Sequence, residues 1–238
     1  RSSDLYSCIV GQDEKNLGFT IYNPLNHDVD MFIRDFQYNF NSMNTLVHEF
    51  GHGYDLSHFS GNIDEYNRYH YASFYGETIS RLMERLLFHF LIENGIHKET
   101  AKDKLIDFED LNHGFLLQAY VLSLLDDDFL LQDEYIDCEV DTIIEKVKQH
   151  FLEGAPLQEV IESMQYYDLS ETMTYSYGDI LSLFLCEEVK SEGFAGDLMH
   201  TFMEHRSSMF DEGFMRECGF GPANYTKLYK KEVELIKK

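Results

Sequence analysis

Apolar residues in this chain recur mostly at intervals of three and four, and only three prolines occur among its 238 residues. This period places apolar side chains along one face of an α-helix, and the scarcity of proline leaves such helices unbroken. The clearest run covers residues 73–93 and stops at Asn94-Gly95, a typical helix C-terminus. We therefore predict a mainly α fold, with further helices over residues 97–131, 139–152, 156–166, 171–190, 195–207 and 223–237.

The N-terminal residues have a different pattern. Residues 5–22 combine β-branched and aromatic residues with Gly11 and a polar cluster at residues 13–16. This is typical of two short strands joined by a turn, so we predict a short β-hairpin or small sheet here and no other sheet. No repeat, low-complexity tract or linker divides the chain, so residues 1–238 are expected to form one domain.

The composition excludes some partners. With 19 basic and 43 acidic side chains the formal charge is -24, and such a field repels phosphate backbones, so nucleic acid is not an expected partner. No apolar stretch has the length of a membrane span, and we expect no membrane partner and a cytoplasmic location. The four cysteines are widely spaced and are expected to be free thiols. Because the chain does not begin with Met, we expect a fragment or a processed product.

The segment H-E-F-G-H at residues 48–52 carries the clearest chemical signal. We predict that a helix capped by Asn41 or Ser42 runs through it, and that Gly51 and Gly53 end or loosen that helix. The segment therefore belongs to the C-terminal part of a helix.

Two histidines of this segment, His48 and His52, are four residues apart, so a helix stacks both imidazoles on one face at a spacing suited to one metal ion. Glu49 follows the first histidine, where its carboxylate can reach a water molecule at the metal without being a ligand. The pattern predicts two metal ligands and a general base. The alternative is a helix whose histidines are buried and hydrogen-bonded.

A catalytic zinc needs a third protein ligand, and two residues compete for this role. His58, six residues beyond the second histidine, nearly completes the metzincin pattern H-E-x-x-H-x-x-G-x-x-H, but Asp55 occupies the glycine position. Glu77 lies on the clearest predicted helix. Glu84, seven residues later, shares its helical face and could accept a hydrogen bond from a liganding histidine.

These motifs resemble those of the thimet oligopeptidase and oligoendopeptidase F family of zinc metallopeptidases. H-E-F-G-H is followed, after 24 intervening residues, by E-x-x-S-x-x-x-E at residues 77–84, the spacing that this family uses. R-S-S-D-L-Y at residues 1–6 and G-F-T-I-Y at residues 18–22 resemble the segment leading into the family's substrate-flanking strand and the strand itself. Tyr175-Ser176-Tyr177 is similar to the Y-x-Y stretch that opens its active-site helix.

The resemblance implies a zincin-like helical catalytic domain that hydrolyses short peptides as a zinc metalloendopeptidase. It implies Glu49 as the base, and Tyr177 or Tyr175 facing the zinc as the donor to the oxyanion. One Zn²⁺ per chain is implied, with the ligands His48, His52 and Glu77.

Family members are more than twice as long and carry a large helical N-terminal part, so residues 1–238 resemble the C-terminal catalytic part. The family also has a histidine near the position that Tyr167 occupies in this chain. The alternative function is therefore a zinc-retaining but incomplete or inactive peptide-binding fragment of such a peptidase.

Overall fold

The computed structural model describes residues 6–11, 18–23, 26–34, 36–59, 66, 75–109, 169–206, 212–217 and 219–238. Within these ranges the protein is mainly helical with one small sheet, which confirms the predicted fold class at this level. The chain divides into two compact units, one of Arg1–Ile106 with Tyr177–Lys238 and the other of Asp107–Ser176. The sheet belongs to the first unit, and a single domain over residues 1–238 stays a prediction.

The sheet has three strands, and the last of them in sequence lies in the middle. Strands β1 (Tyr6–Gly11), β2 (Gly18–Asn23) and β3 (Asp28–Arg34) have the spatial order β1-β3-β2. β3 runs parallel to β1 and antiparallel to β2. The hairpin predicted at residues 5–22 is therefore wrong, because β3 lies between the two strands that were expected to pair.

The sequence carries a signal for β3 that the prediction missed. Val29, Met31 and Ile33 are each at most 4% exposed, and they alternate with residues that remain partly accessible. This period of two is typical of a strand with one face on a core. Asp28 and Asp30 weaken the signal, since aspartate is rare in strands.

Helix α1 (Phe40–Ser57) carries the H-E-F-G-H segment. Asn39 caps its N-terminus, because the Asn39 side chain accepts a 2.9 Å hydrogen bond from the backbone N–H of Ser42. The predicted cap at Asn41 or Ser42 is therefore wrong by two or three residues, since both lie inside the helix.

Gly51 and Gly53 do not end α1, which corrects the first of the two roles predicted for them. The helix continues to Ser57, and Gly51 lies where the next helix crosses it. A Cβ atom at Gly51 would come within 2.5 Å of Ser80 Cα. Glycine here permits the backbones of two helices to approach closely, so it has a packing role within a continuous helix.

Helix α2 (Thr78–Glu93) is the helix predicted most clearly from the sequence. It buries Ile79 and Leu82 completely and is followed by Gly95 at a φ of 68°, the left-handed conformation expected after a helix C-terminus. Residues 75–77 form a turn before it, and residues 73–74 of the predicted range lie outside the described residues.

The remaining helices follow the predicted periodicity. The predictions at 171–190, 195–207 and 223–237 are confirmed to within two residues at each end, while those at 139–152 and 156–166 lie outside the described residues. Helical residues 98–109 form α3, within the predicted 97–131. The others are α4 (Leu169–Glu192), α5 (Asp197–His205), the short α6 (Glu212–Glu217), which was not predicted, and α7 (Pro222–Lys237).

The main apolar core of the first unit joins α2, α4 and α5. Ile79, Leu82, Leu181, Leu185 and Phe202 are each fully buried in it. Burial of such side chains is the largest favourable contribution to folding, about 1.5–3 kcal/mol for each. This core holds α2 and α4 together.

Two further sequence predictions can be compared with the structure. Cys186 is a buried free thiol, as expected, and the described parts of the chain contain no helix long and apolar enough to cross a bilayer.

Candidate metal centre

Three side chains from α1 and from the residue preceding α2 bring their ligand atoms together. His48 Nε2 lies 3.2 Å from His52 Nε2, and each of these atoms lies 3.5 Å from Glu77 Oε2. Two ligand atoms on a tetrahedral ion, bonded at about 2.0–2.1 Å, are about 3.3–3.4 Å apart. The triangle therefore has the dimensions that one metal ion requires, and in the described part of the chain it is the one such group.

Helix geometry and a close helix crossing create this triangle. His48 and His52 stack on one face of α1 with their ring centroids 4.8 Å apart. Glu77 is the N-cap residue of α2, and the contact at Gly51 brings the start of α2 against the helix surface between the histidines. Ser80 Oγ donates a 2.8 Å hydrogen bond to Glu77 Oε2 and orients the carboxylate.

Glu84 orients the first histidine from the other side of the imidazole. Its Oε2 lies 3.2 Å from His48 Nδ1, and because a carboxylate only accepts, Nδ1 carries the proton and Nε2 is left for a metal. Asn44 Nδ2 and Arg81 Nη1 donate to Glu84 at 2.6 and 2.9 Å. The predicted hydrogen bond between Glu84 and a histidine of the pair is thus present.

The electrostatics of the cluster favour bound positive charge. Burial alone would lower the pKa of His48, but the neighbouring carboxylates, Glu84 foremost, raise it to about 9. Burial would raise the pKa of Glu84, but Arg81 and His48 bring it down to about 2. The pKa of Glu77 is lowered in the same way, because His52 and His48 outweigh its burial. Both carboxylates are therefore ionised at neutral pH.

Glu49 is buried beside the sheet and is not one of the three grouped ligands. Its side chain is 5% exposed, and Thr20 Oγ1 on β2 donates a 2.7 Å hydrogen bond to its Oε2. Gly18, two residues before Thr20 on the same strand, leaves room for the Glu49 side chain, because a Cβ atom there would lie 2.9 Å from Glu49 Cγ.

The two tyrosines predicted to face the metal lie on α4 and do not share a side of it. Residues two apart on a helix do not face the same way, so Tyr177 and Tyr175 stay alternatives for the predicted donor. Gly178 packs directly against Glu77, with a Cβ position 2.9 Å from Glu77 Cβ. Tyr177 therefore precedes Gly178, which contacts the predicted ligand Glu77. Burial raises the pKa of the Tyr177 hydroxyl.

His58 follows the C-terminus of α1 and does not join the cluster. The helix continues through Asp55, which is fully buried and pairs with Arg206 at 2.5 Å. The chain therefore makes no turn at Asp55 that would fold His58 back toward the other histidines. His58 Nδ1 instead lies 2.7 Å from the carbonyl oxygen of Tyr54. The geometry does not fit the metzincin alternative.

Sequence reasoning missed three residues that hold the site. Arg81 precedes Glu84 by three residues, so helical spacing could have placed it beside that partner. Asn44 donates to the same carboxylate from a different helix, 40 residues away in sequence. Thr20 is separated from Glu49 by 29 residues, and no local pattern reports that contact.

The chain matches no protein-family model, no curated protein and no solved structure. The resemblance to the oligopeptidase family therefore rests on the motifs quoted above and stays a prediction.

Proposed function

We propose that this protein is a zinc-dependent endopeptidase that hydrolyses short peptides. The observation that carries the proposal is the triangle of ligand atoms from His48, His52 and Glu77, with sides of 3.2, 3.5 and 3.5 Å. Two imidazoles and one carboxylate form the ligand set of several catalytic zinc sites. The same set accepts cobalt or manganese, so the ion in the cell is decided by availability as well as by geometry.

A zinc ion held by these residues supplies Lewis acidity and lowers the pKa of water. The protein's part is to hold the ligands in position. Glu84 keeps Nε2 of His48 turned inward through its contact with Nδ1, and Ser80 does the same for the Glu77 carboxylate. Such supporting hydrogen bonds orient ligands and increase their basicity.

Glu49 is the proposed general base. Its carboxylate takes a proton from the attacking water and later gives one to the departing amine. It follows a ligand in sequence and lies outside the ligand triangle, so its carboxylate is not used as a ligand.

Tyr177 is the proposed donor to the oxyanion that forms on the attacked carbonyl, with Tyr175 as the second candidate. The packing of Gly178 against Glu77 supports Tyr177. Burial raises the pKa of Tyr177, which keeps its hydroxyl protonated and able to donate at neutral pH.

The sheet supports an extended peptide as the substrate. Among the described residues β2 pairs with β3 alone, and its Thr20 contacts Glu49. A peptide that pairs with the other edge of β2 would run beside the proposed base. The main-chain hydrogen bonds of such pairing bind a peptide without requiring a particular sequence.

The proposal is tested by exchanging Glu49 for Gln. Zinc content should stay at that of the wild type, while the kcat for an internally quenched peptide should fall roughly 10²- to 10⁴-fold, because the base is lost and the ligands are not. The matched control is Glu99→Gln, at a side chain that is 81% exposed, and it should change neither quantity.

Two other outcomes would change the proposed function. An active Glu49→Gln variant would refute the assigned base. A wild-type protein that holds zinc and cleaves no peptide would favour the alternative, a zinc-retaining but incomplete or inactive peptide-binding fragment.

A further inference from the structure

The hydrogen bond between Thr20 and Glu49 joins the sheet to the proposed base. The Thr20 hydroxyl lies 2.7 Å from Glu49 Oε2 and 3.1 Å from the carbonyl oxygen of Glu49. A hydroxyl has one proton to donate, and the contact with the carboxylate oxygen is the shorter of the two. The carboxylate is therefore the acceptor.

Glu49 needs such a partner because its side chain is only 5% exposed. A buried carboxylate is stable only when hydrogen-bonded or paired, and its position on the helix leaves several rotamers open. Thr20 is β-branched, lies on a strand and has few rotamers of its own. It is thus a rigid donor that selects one orientation of the Glu49 side chain.

Gly18 adds a second constraint from the same strand. A Cβ atom at Gly18 would lie 2.9 Å from Glu49 Cγ and 3.0 Å from Glu49 Oε1. The strand therefore combines an empty space, into which the carboxylate fits, with a hydroxyl that anchors it. Neither residue belongs to the group of metal ligands.

We propose that Thr20 is a positioning residue for the general base: its hydroxyl holds the Glu49 carboxylate in the orientation that proton transfer needs. This inference rests on the proposed function. It predicts that the Thr20 side chain acts on the chemical step through Glu49 and neither holds metal nor binds substrate.

The test compares Thr20→Val, Thr20→Ser and Thr45→Val in the full chain. Valine keeps the shape of threonine without the donor, and serine keeps the donor. Thr45 is the matched control, because its methyl group also lies near Gly18 while its hydroxyl donates to Asn41 within α1. For each variant, kcat, KM, zinc content and thermal unfolding are measured.

We expect Thr20→Val to lower kcat about 10- to 100-fold, the loss that follows from removing one hydrogen bond to a charged group. KM and zinc content should stay within about twofold of the wild type, and Thr20→Ser should recover most of the lost rate. Gly18→Ala, which crowds the carboxylate without removing the donor, should lower kcat in the same way. Thr45→Val should resemble the wild type.

Several results would overturn the inference. They are an unchanged kcat in Thr20→Val, equal losses in Thr20→Ser and Thr20→Val, a loss confined to KM, and an equal loss in Thr45→Val. If Thr20→Val does not fold, the kcat values of Thr20→Ser and Gly18→Ala test the inference in its place. A zinc-bound wild type without cleavage would refute the proposed function and this inference with it, whereas an active wild type with an equally active Thr20→Val would refute only the role of Thr20.

Discussion

Helix α2 contributes to two polar clusters of similar composition and different character. The metal cluster (His48, His52 and Glu77) lies at its start. The second, here called the Arg85 cluster, lies further along the helix and comprises Arg85, His89, Asp179 and Glu232. Each combines imidazole with carboxylate. In the Arg85 cluster the guanidinium binds both carboxylates, and its side chain is fully buried.

The difference lies in the source of the positive charge. In the Arg85 cluster the cation is part of the chain, and His89 Nε2 lies 3.0 Å from Glu232 Oε1 on the same network. In the metal cluster three ligand atoms face one another at 3.2–3.5 Å, which is favourable only with a proton or a metal ion among them. We infer that the first arrangement stabilises the fold and that the second takes up a cation from solution.

The largest difference expected between the two clusters is in the free energy of unfolding. Exchanging Arg85 for Met leaves Asp179 and Glu232 buried without their cation, which should lower the free energy of unfolding by about 3–5 kcal/mol. Urea denaturation measures this. The control is Lys231→Met, which removes a largely exposed ion pair with Glu187 and should cost at most about 1 kcal/mol. Equal losses in both variants would show that Arg85 has no special structural role.

A smaller effect concerns the affinity of the metal cluster. Exchanging Glu84 for Gln removes the charged acceptor on Nδ1 of His48 and should weaken zinc binding about 10- to 100-fold. Competition with a chromophoric chelator measures this. Glu93→Gln, on the same helix but paired with Lys190 at the surface, should leave the affinity unchanged. An unaltered affinity in Glu84→Gln would mean that Glu84 does not support the ligand.

The smallest expected effect is that of His58→Ala. His58 contacts the backbone of Tyr54 and lies outside the triangle of ligand atoms, so zinc content and cleavage should equal those of the wild type. Elemental analysis and the peptide assay measure both. Loss of zinc in this variant would restore the metzincin alternative and would remove Glu77 from the site.

Local patterns predicted the helices and the main residues of the site, for a physical reason. A period of three to four reports which face of a helix is buried, and the same spacing places His48 beside His52. Neither inference needs knowledge of the rest of the fold. Glu77 and Glu84 were candidates because of their place on the clearest predicted helix and because their spacing resembles that of the oligopeptidase family. The helix begins one residue after Glu77, and both carboxylates lie against the histidines.

Contacts between distant segments were not predictable in this way. The bonds from Arg85 to Asp179 and Glu232 span 94 and 147 residues, and no local period reports which carboxylates an arginine meets. The order of the sheet failed for the same reason, since β1 pairs with β3 and not with β2, the strand that follows it in sequence. The packing role of Gly51 was not predictable either, because its partner, Ser80, is known only from the fold.

The most direct test of the central claim is the metal content of the purified, unsupplemented protein, compared with that of Glu77→Gln and combined with peptide cleavage with and without a chelator. We expect about one zinc per wild-type chain, cleavage that the chelator abolishes and zinc restores, and little zinc in the variant. A wild-type protein without zinc, or a Glu77→Gln variant that holds zinc as well as the wild type, would refute the proposed metal site.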